Sequence, residues 1–223
     1  MVCVVQTYDP PHPTYPLVRD ITTGFDGSST TSHAVSLPSG IGAGEGLLLL
    51  FGCREDGNTV PAGWTELYDF NAGTAGQLCA WREADGTEGA SITVTSSASR
   101  RNSWQVWRFS RGNFIAGVTP EVGTPASGTS STPDSPSLTP SWGAQNTFWI
   151  AAVTAKAEVP ATTVSSWPSN YNDNQTTIAQ DNVECISAAS RTLNASSEDP
   201  GSFTMSASKS WVANIIALRL PAS

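Results

Sequence analysis

The chain has 223 residues, of which 39% are hydrophobic and only 13% charged, with eight Trp and a formal net charge of −8. That much apolar side chain offsets the ordering entropy of folding and excludes wholesale disorder. The acidic balance excludes a general nucleic-acid binder, which needs a basic surface to displace counterions from phosphate.

The first 16 residues, "MVCVVQTYDPPHPTYP", have no basic segment ahead of an apolar run and are not read as a secretory signal. Their prolines fix φ and remove amide donors. An extended arm over 1–16 is therefore expected, and Tyr8, Pro10, Pro11, His12, Pro13 and Tyr15 are its candidate contacts with a neighbouring subunit.

From residue 17 onward every predicted element is a strand. "SHAVSLP" (32–38) leads into the continuous apolar run "GLLLLFGC" (46–53). That run is too short to cross a bilayer and has the length of a central strand covered on both faces. "PAGWTELYDF" (61–70), "QLCAWREADG" (77–86), "ASITVTSS" (90–97) and "NSWQVWRFSRG" (102–112) follow. Ile92 and Val94 alternate with Thr93 and Thr95, as expected where one sheet face is buried. Asp85-Gly86 marks a tight turn, because both residues tolerate positive φ.

The same order then recurs. "DSPSLTP" (134–140) precedes "TFWIAAVTAK" (147–156), "SSWPSNY" (165–171), "VECISAASR" (183–191), "GSFTMSAS" (201–208) and "KSWVANIIALRL" (209–220). Trp64 answers Trp167, Cys79 answers Cys185 and Trp104 answers Trp211, at offsets of 103, 106 and 107. Six ordered matches indicate an internal duplication. The expected fold class is all-β: two tandem antiparallel β-sandwich repeats of jelly-roll or immunoglobulin-like type, over 17–118 and 119–223, behind the arm. The Ser/Thr/Pro run "GTSSTPDSPSLTPSW" (128–142) reads as the loop leading into the second copy. The expected core comprises Leu48, Leu50, Trp64, Ile92, Val94, Trp104, Ile150, Trp167, Phe203, Met205, Trp211 and Ile216.

The search for chemistry returns little. The two histidines, His12 in the arm and His33 at a strand edge, have no GxSxG elbow, HExxH or phosphate loop beside them. The acids Glu55-Asp56, Glu83 with Asp85, and Glu198-Asp199 fall at strand ends and turns, so no enzyme, cofactor or metal is expected. Asp173 in "YNDNQ" has oxygen-bearing neighbours but no EF-hand spacing. Arg100, Arg101, Arg108 and Arg111 read as a solvated edge or subunit contact, and the cysteines as reduced core residues. Trp64, Tyr68, Trp167 and Tyr171 are the candidate partner or glycan contacts, weighed against a place in the core.

The unit "GEGLLLLFGCREDG…PAGWTELYDF…GQLCAWREADGTEGASITVTSS…SWQVWRFSRG", with the ending "ANIIALRLP", resembles a module of structural proteins in tailed bacteriophages and prophages. The resemblance spans roughly 25–220, and the second copy departs from it where Ser-Ser-Trp-Pro replaces Pro-Ala-Gly-Trp. It implies a virion component made without export: a capsid decoration or cement protein on the head exterior, partnered by the major capsid protein and self-associating, with a trimer one option. A tail-fibre or baseplate module binding host glycans, and a tail-tube or neck component, are the alternatives. Neither nucleic acid nor membrane is expected as a partner.

Overall fold

The computed structural model describes residues 17–54 and 57–221. The first repeat contains β1 (Val18–Ser36), β2 (Gly46–Cys53), β3 (Thr65–Asn71), β4 (Gly76–Glu83) and β5 (Ser91–Phe109). The second contains β6 (Glu121–Val122), β7 (Ala126–Ser130), β8 (Asp134–Ser135), β9 (Gln145–Ala155), β10 (Val164–Ser166), β11 (Asp173–Ile178), β12 (Cys185–Ala195), β13 (Gly201–Ser202), β14 (Thr204–Met205) and β15 (Lys209–Arg219). The fold is all-β, as the residue pattern requires, and its pairings are antiparallel.

The main sheet of the first repeat runs β1-β5-β2-β4-β3; that of the second runs β11-β12-β9-β15-β6, with β7 also on β15. Read from opposite ends, these are one order, with β2 and β9 central in each. The sheets stack so that β1 meets β11, β5 meets β12, β4 meets β9 and β15, and β3 meets β6. Each repeat thus lays its first strand on the other's third, the relation expected of a pseudo-two-fold pair.

Stacking explains why the central strands are apolar throughout. Alternate side chains of β2 point to opposite faces. Leu48 and Leu50 enter the seam between the repeats, with Trp81, Trp107, Phe109, Phe148, Ile150, Ile186, Ile216 and Leu218. Leu47, Leu49 and Phe51 face outward, under a second layer. In the first repeat that layer is the far end of the β1–β5 pair. Register shifts fall between Asp26 and Ser32, and beyond them Val35 and Val94 pack on the outer face of β2.

In the second repeat the cover is in pieces. β8 pairs with β13, β10 pairs with β14, and Phe203 and Met205 pack on Trp149, Ala151 and Val153. Pro133, Pro136, Pro140 and Pro200 lack amide hydrogens, so no long hairpin forms there. The Ser/Thr/Pro run is itself strand in part, since β7 pairs with β15 and β8 with β13. This corrects its reading as a loop: the side chains are polar because this is an edge, half of it in water. The predicted segments 90–97 and 102–112 form one strand rather than two, since β5 runs 19 residues, as does its partner β1, both carried through their bulges by one ladder.

Ten of the twelve expected core residues are buried; Ile92 and Trp167 are only partly so. Both repeats share one device that the matched motifs do not display. Gly24 pairs with Trp104 and Gly128 with Trp211, and each indole lies across its glycine. A Cβ at position 128 would stand 2.8 Å from the Trp211 ring, and one at position 24 would collide with Trp104 outright. We expect Gly24→Val and Gly128→Val each to cost about 1–3 kcal/mol by overpacking, and Trp104→Ala or Trp211→Ala about 3–5 kcal/mol by cavity formation. Denaturant unfolding of the four variants checks this, and unchanged midpoints would refute the pairing.

Candidate functional site

The rings singled out in the sequence are largely spent on packing. Trp64 (8% exposed) closes the outer core of the first repeat, and Tyr171 (0%) is buried in that of the second. Tyr68 reaches the seam from β3 and donates its hydroxyl to Gln77 Oε1 at 2.8 Å. Burial pushes the phenols of Tyr68 and Tyr171 above their usual range. Tyr171 also donates to Glu198 Oε1 at 3.2 Å and lies 5.7 Å beneath the Arg191 guanidinium. Trp167, half-buried, donates Nε1–H to Ser187 Oγ at 3.0 Å. These rings therefore offer no shared open face for a sugar. The arm candidates Tyr8, Pro10, Pro11, His12, Pro13 and Tyr15 lie outside the described residues.

The arginines do not form one solvated edge, because Arg108 is buried. Its Nε donates to Glu45 Oε2 at 2.8 Å and its Nη1 to the Ser39 carbonyl at 2.7 Å, while Arg19 takes Glu45 Oε1 at 2.9 Å. Burial alone would raise the Glu45 carboxyl, but the Gly42 amide and the two guanidinium groups outweigh it and hold it below its ordinary value. Arg100 and Arg101 donate instead to the Arg54 and Gly27 carbonyls.

His33 is fully buried although β1 is the outermost strand of its sheet. Its Nε2 is 2.8 Å from Ser96 Oγ and its Nδ1 2.6 Å from Asn102 Nδ2. The trio resembles a nucleophile–base–orienter set, yet its protons run the wrong way. The one hydroxyl hydrogen of Ser96 goes to the Ala98 carbonyl at 2.8 Å. Nε2 must therefore carry hydrogen and donate to Ser96, while Nδ1 accepts from the Asn102 amide. A general base needs a free acceptor aimed at the nucleophile; this imidazole is wired as a neutral strut between β1 and β5.

The larger polar feature lies in the seam, at the end away from the Phe109–Phe148 pair. There Gln77, Ser103 and Gln105 of the first repeat face Thr154, Glu184 and Asn214 of the second, and all six are buried. Gln77 Nε2 donates to Thr154 Oγ1 at 2.9 Å, Ser103 Oγ to the Glu184 carbonyl at 2.7 Å, and Gln105 Nε2 to the Ile186 carbonyl at 3.3 Å. Trp107 Nε1 completes the set by donating to Gln105 Oε1 at 3.2 Å. These bonds set the register of one repeat on the other, since a slip would strand buried donors and acceptors. The sequence reading missed this layer. Its signal was a polar residue at an inward position of an apolar run: Gln105 in "SWQVW", Thr154 in "AAVTA", Asn214 in "VANII".

No known protein family, curated protein or solved structure matches the chain.

Among the described residues no group of three or more His, Cys, Asp or Glu is placed to hold a metal ion. Asp173, with Asn172 and Asn174, lines a shallow cavity of about 360 Å³ shared with Leu17, Val18, Phe148 and Thr192. Cys53, Cys79 and Cys185 are buried, and burial pushes the Cys185 thiol up to about 12. The chain's Glu55 and Asp56 lie outside the described residues, whereas Glu83 Oε1 accepts the Gly117 amide at 2.6 Å, and Asp85 and Glu88 bind Arg82 at 2.9 and 2.8 Å.

Burial lowers the His33 pKa from 6.5, opposed by the charge of Asp26. The unfolded chain then binds a proton more readily than the folded one. The stabilisation is complete above 6.5 and is lost as pH falls through the lowered folded value. Relative to His33→Gln, we expect the wild type to lose about 1.4 kcal/mol per pH unit inside that window, measured by urea unfolding across pH. A difference curve that is flat there would refute the neutral assignment.

Proposed function

We propose that the protein is a non-enzymatic structural component of a phage virion, a decoration or cement protein on the capsid exterior with the major capsid protein as its partner. The observation that carries this reading is the four-layer stack. Each main sheet is covered on one face by the other repeat and on the opposite face by its own outer layer. Packing consumes most of the apolar side chains, leaving strand edges and polar turns for contact, which suits a rigid spacer bound along a lattice rather than a cleft enzyme.

The bacteriophage-like module pattern in both copies supports the virion setting. The edge strand β1 supports extended contact, because it pairs with β5 on one side and carries Phe25 47% exposed. Leu17, the first described residue, is tied to the body, its carbonyl accepting the Ser110 amide at 3.0 Å. In this reading the Pro-rich segment 1–16 reaches a neighbouring capsid subunit, with less entropy to lose than a flexible tail. The glycan-binding alternative has no observation in its favour, since Trp64, Tyr68 and Tyr171 are buried.

Imaging of particles assembled with and without the protein tests the role. We expect difference density on the capsid shell, and reduced heat resistance of particles carrying the chain truncated before Leu17. Density confined to the tail tip would overturn the proposal.

A further inference from the structure

Glu184 immediately precedes β12 and shares the inward parity of Ile186 and Ala188, so its side chain points into the seam. It faces β2 at Gly52. A Cβ on that glycine would stand 3.4 Å from Glu184 Cβ, 3.1 Å from Thr154 Cγ2 and 3.0 Å from Ser103 Oγ. The repeats meet here almost backbone to side chain, and a larger residue at Gly52 would push its neighbours back by a few tenths of an ångström. The Glu184 carbonyl is itself part of the closure, accepting from Ser103. The residue is 2% exposed, and Oε2 of its carboxyl has no hydrogen-bond partner among the described residues.

We infer that Glu184 is a proton-operated latch on the seam: the two repeats are closed at this corner while the carboxyl is neutral, and the corner loosens when it ionises. A neutral carboxyl is tolerated in such a site. An ionised one with an unpaired oxygen is not, unless water or a cation reaches it.

The charged groups acting on Glu184 are Arg54 beyond the end of β2 and Arg100 and Arg101 on β5; Thr154 of β9 shares its approach to Gly52, and on β12 the adjacent Cys185 belongs to the outer core. Backbone carbonyls hold the guanidinium groups: Arg54 Nε is 3.4 Å from the Gly73 carbonyl, Arg100 Nε 3.0 Å from that of Arg54, and Arg101 Nε 2.7 Å from that of Gly27. They attract the carboxylate, as does its own amide. Burial still dominates and raises the carboxyl from 4.5 to about 7. The guanidinium groups therefore give the ionised side chain somewhere to go once the corner parts.

The direction follows from linkage. The folded state holds this proton more tightly than the unfolded chain does, so closure is complete below 4.5 and weakens as pH rises through about 7. This opposes the trend set by His33, which distinguishes the two groups.

The test is amide hydrogen exchange of the intact protein across pH, corrected for intrinsic exchange, with carboxyl-carbon NMR titration of the wild type. For segments holding Gly52, Ser103 and Cys185, protection should fall about tenfold per pH unit within the window, since one proton is linked to opening. In Glu184→Gln, which keeps the shape without the charge, this fall should be absent, leaving only the opposite trend that His33 sets. Parallel pH trends in wild type and variant would overturn the latch. Should the variant fail to fold, the titration decides alone: a carboxyl titrating near 7 supports the proposal, and one titrating at 4.5 overturns it.

Discussion

Everything in this protein depends on β2 and β9 being buried on both faces. A strand covered on one side needs apolar residues at every second position only; these two carry them almost without a break. Neither repeat can satisfy such a strand alone with a single main sheet and a thin outer layer. The inner face of each sheet must be covered by the other, which is why Leu48 and Leu50 share a cluster with Ile150 and Ile216 from the far end of the chain.

A seam made wholly of aliphatic side chains would tolerate sliding. The aromatic end, where Phe109 meets Phe148 edge-on at 5.7 Å, supplies cohesion. The polar end supplies register, because Gln77, Ser103 and Gln105 each find a partner on the opposite repeat in one alignment. That arrangement has a cost: Glu184 Oε2 and Asn214 Nδ2 are buried without hydrogen-bond partners among the described residues. On the latch proposed above, stability at this corner is conditional on protonation of Glu184.

The same economy shapes what the surface can do. With the faces spent internally and His33 and the Glu45–Arg108 pair employed as struts, chemistry-bearing side chains in the body mostly serve the fold. What stays outside is polar turns and edges, and an edge is protected from indiscriminate pairing by bulges and charges such as those of Arg19, Asp20 and Asp26 on β1. A body built in this way suits holding a position in an assembly.

Periodicity alone determined the all-β class, the duplication and the central place of 46–53 and 147–154, because side-chain alternation and repeat order are local properties written directly in the residues. It also indicated most of the core. Tertiary structure decided what depends on residues distant in the chain. Tyr68 read as a possible contact because nothing near it reveals Gln77 and the seam. Arg108 read as solvated because Glu45 is 63 positions away. The pairing of Gly24 with Trp104 is invisible until the register of β1 on β5 is known. Nothing in "VECISAASR" singles out Glu184, since its character comes from a glycine of the other repeat and a carbonyl bond to Ser103. Burial and partnership are made by packing, and packing here joins the two halves of the chain, so no local pattern carries them.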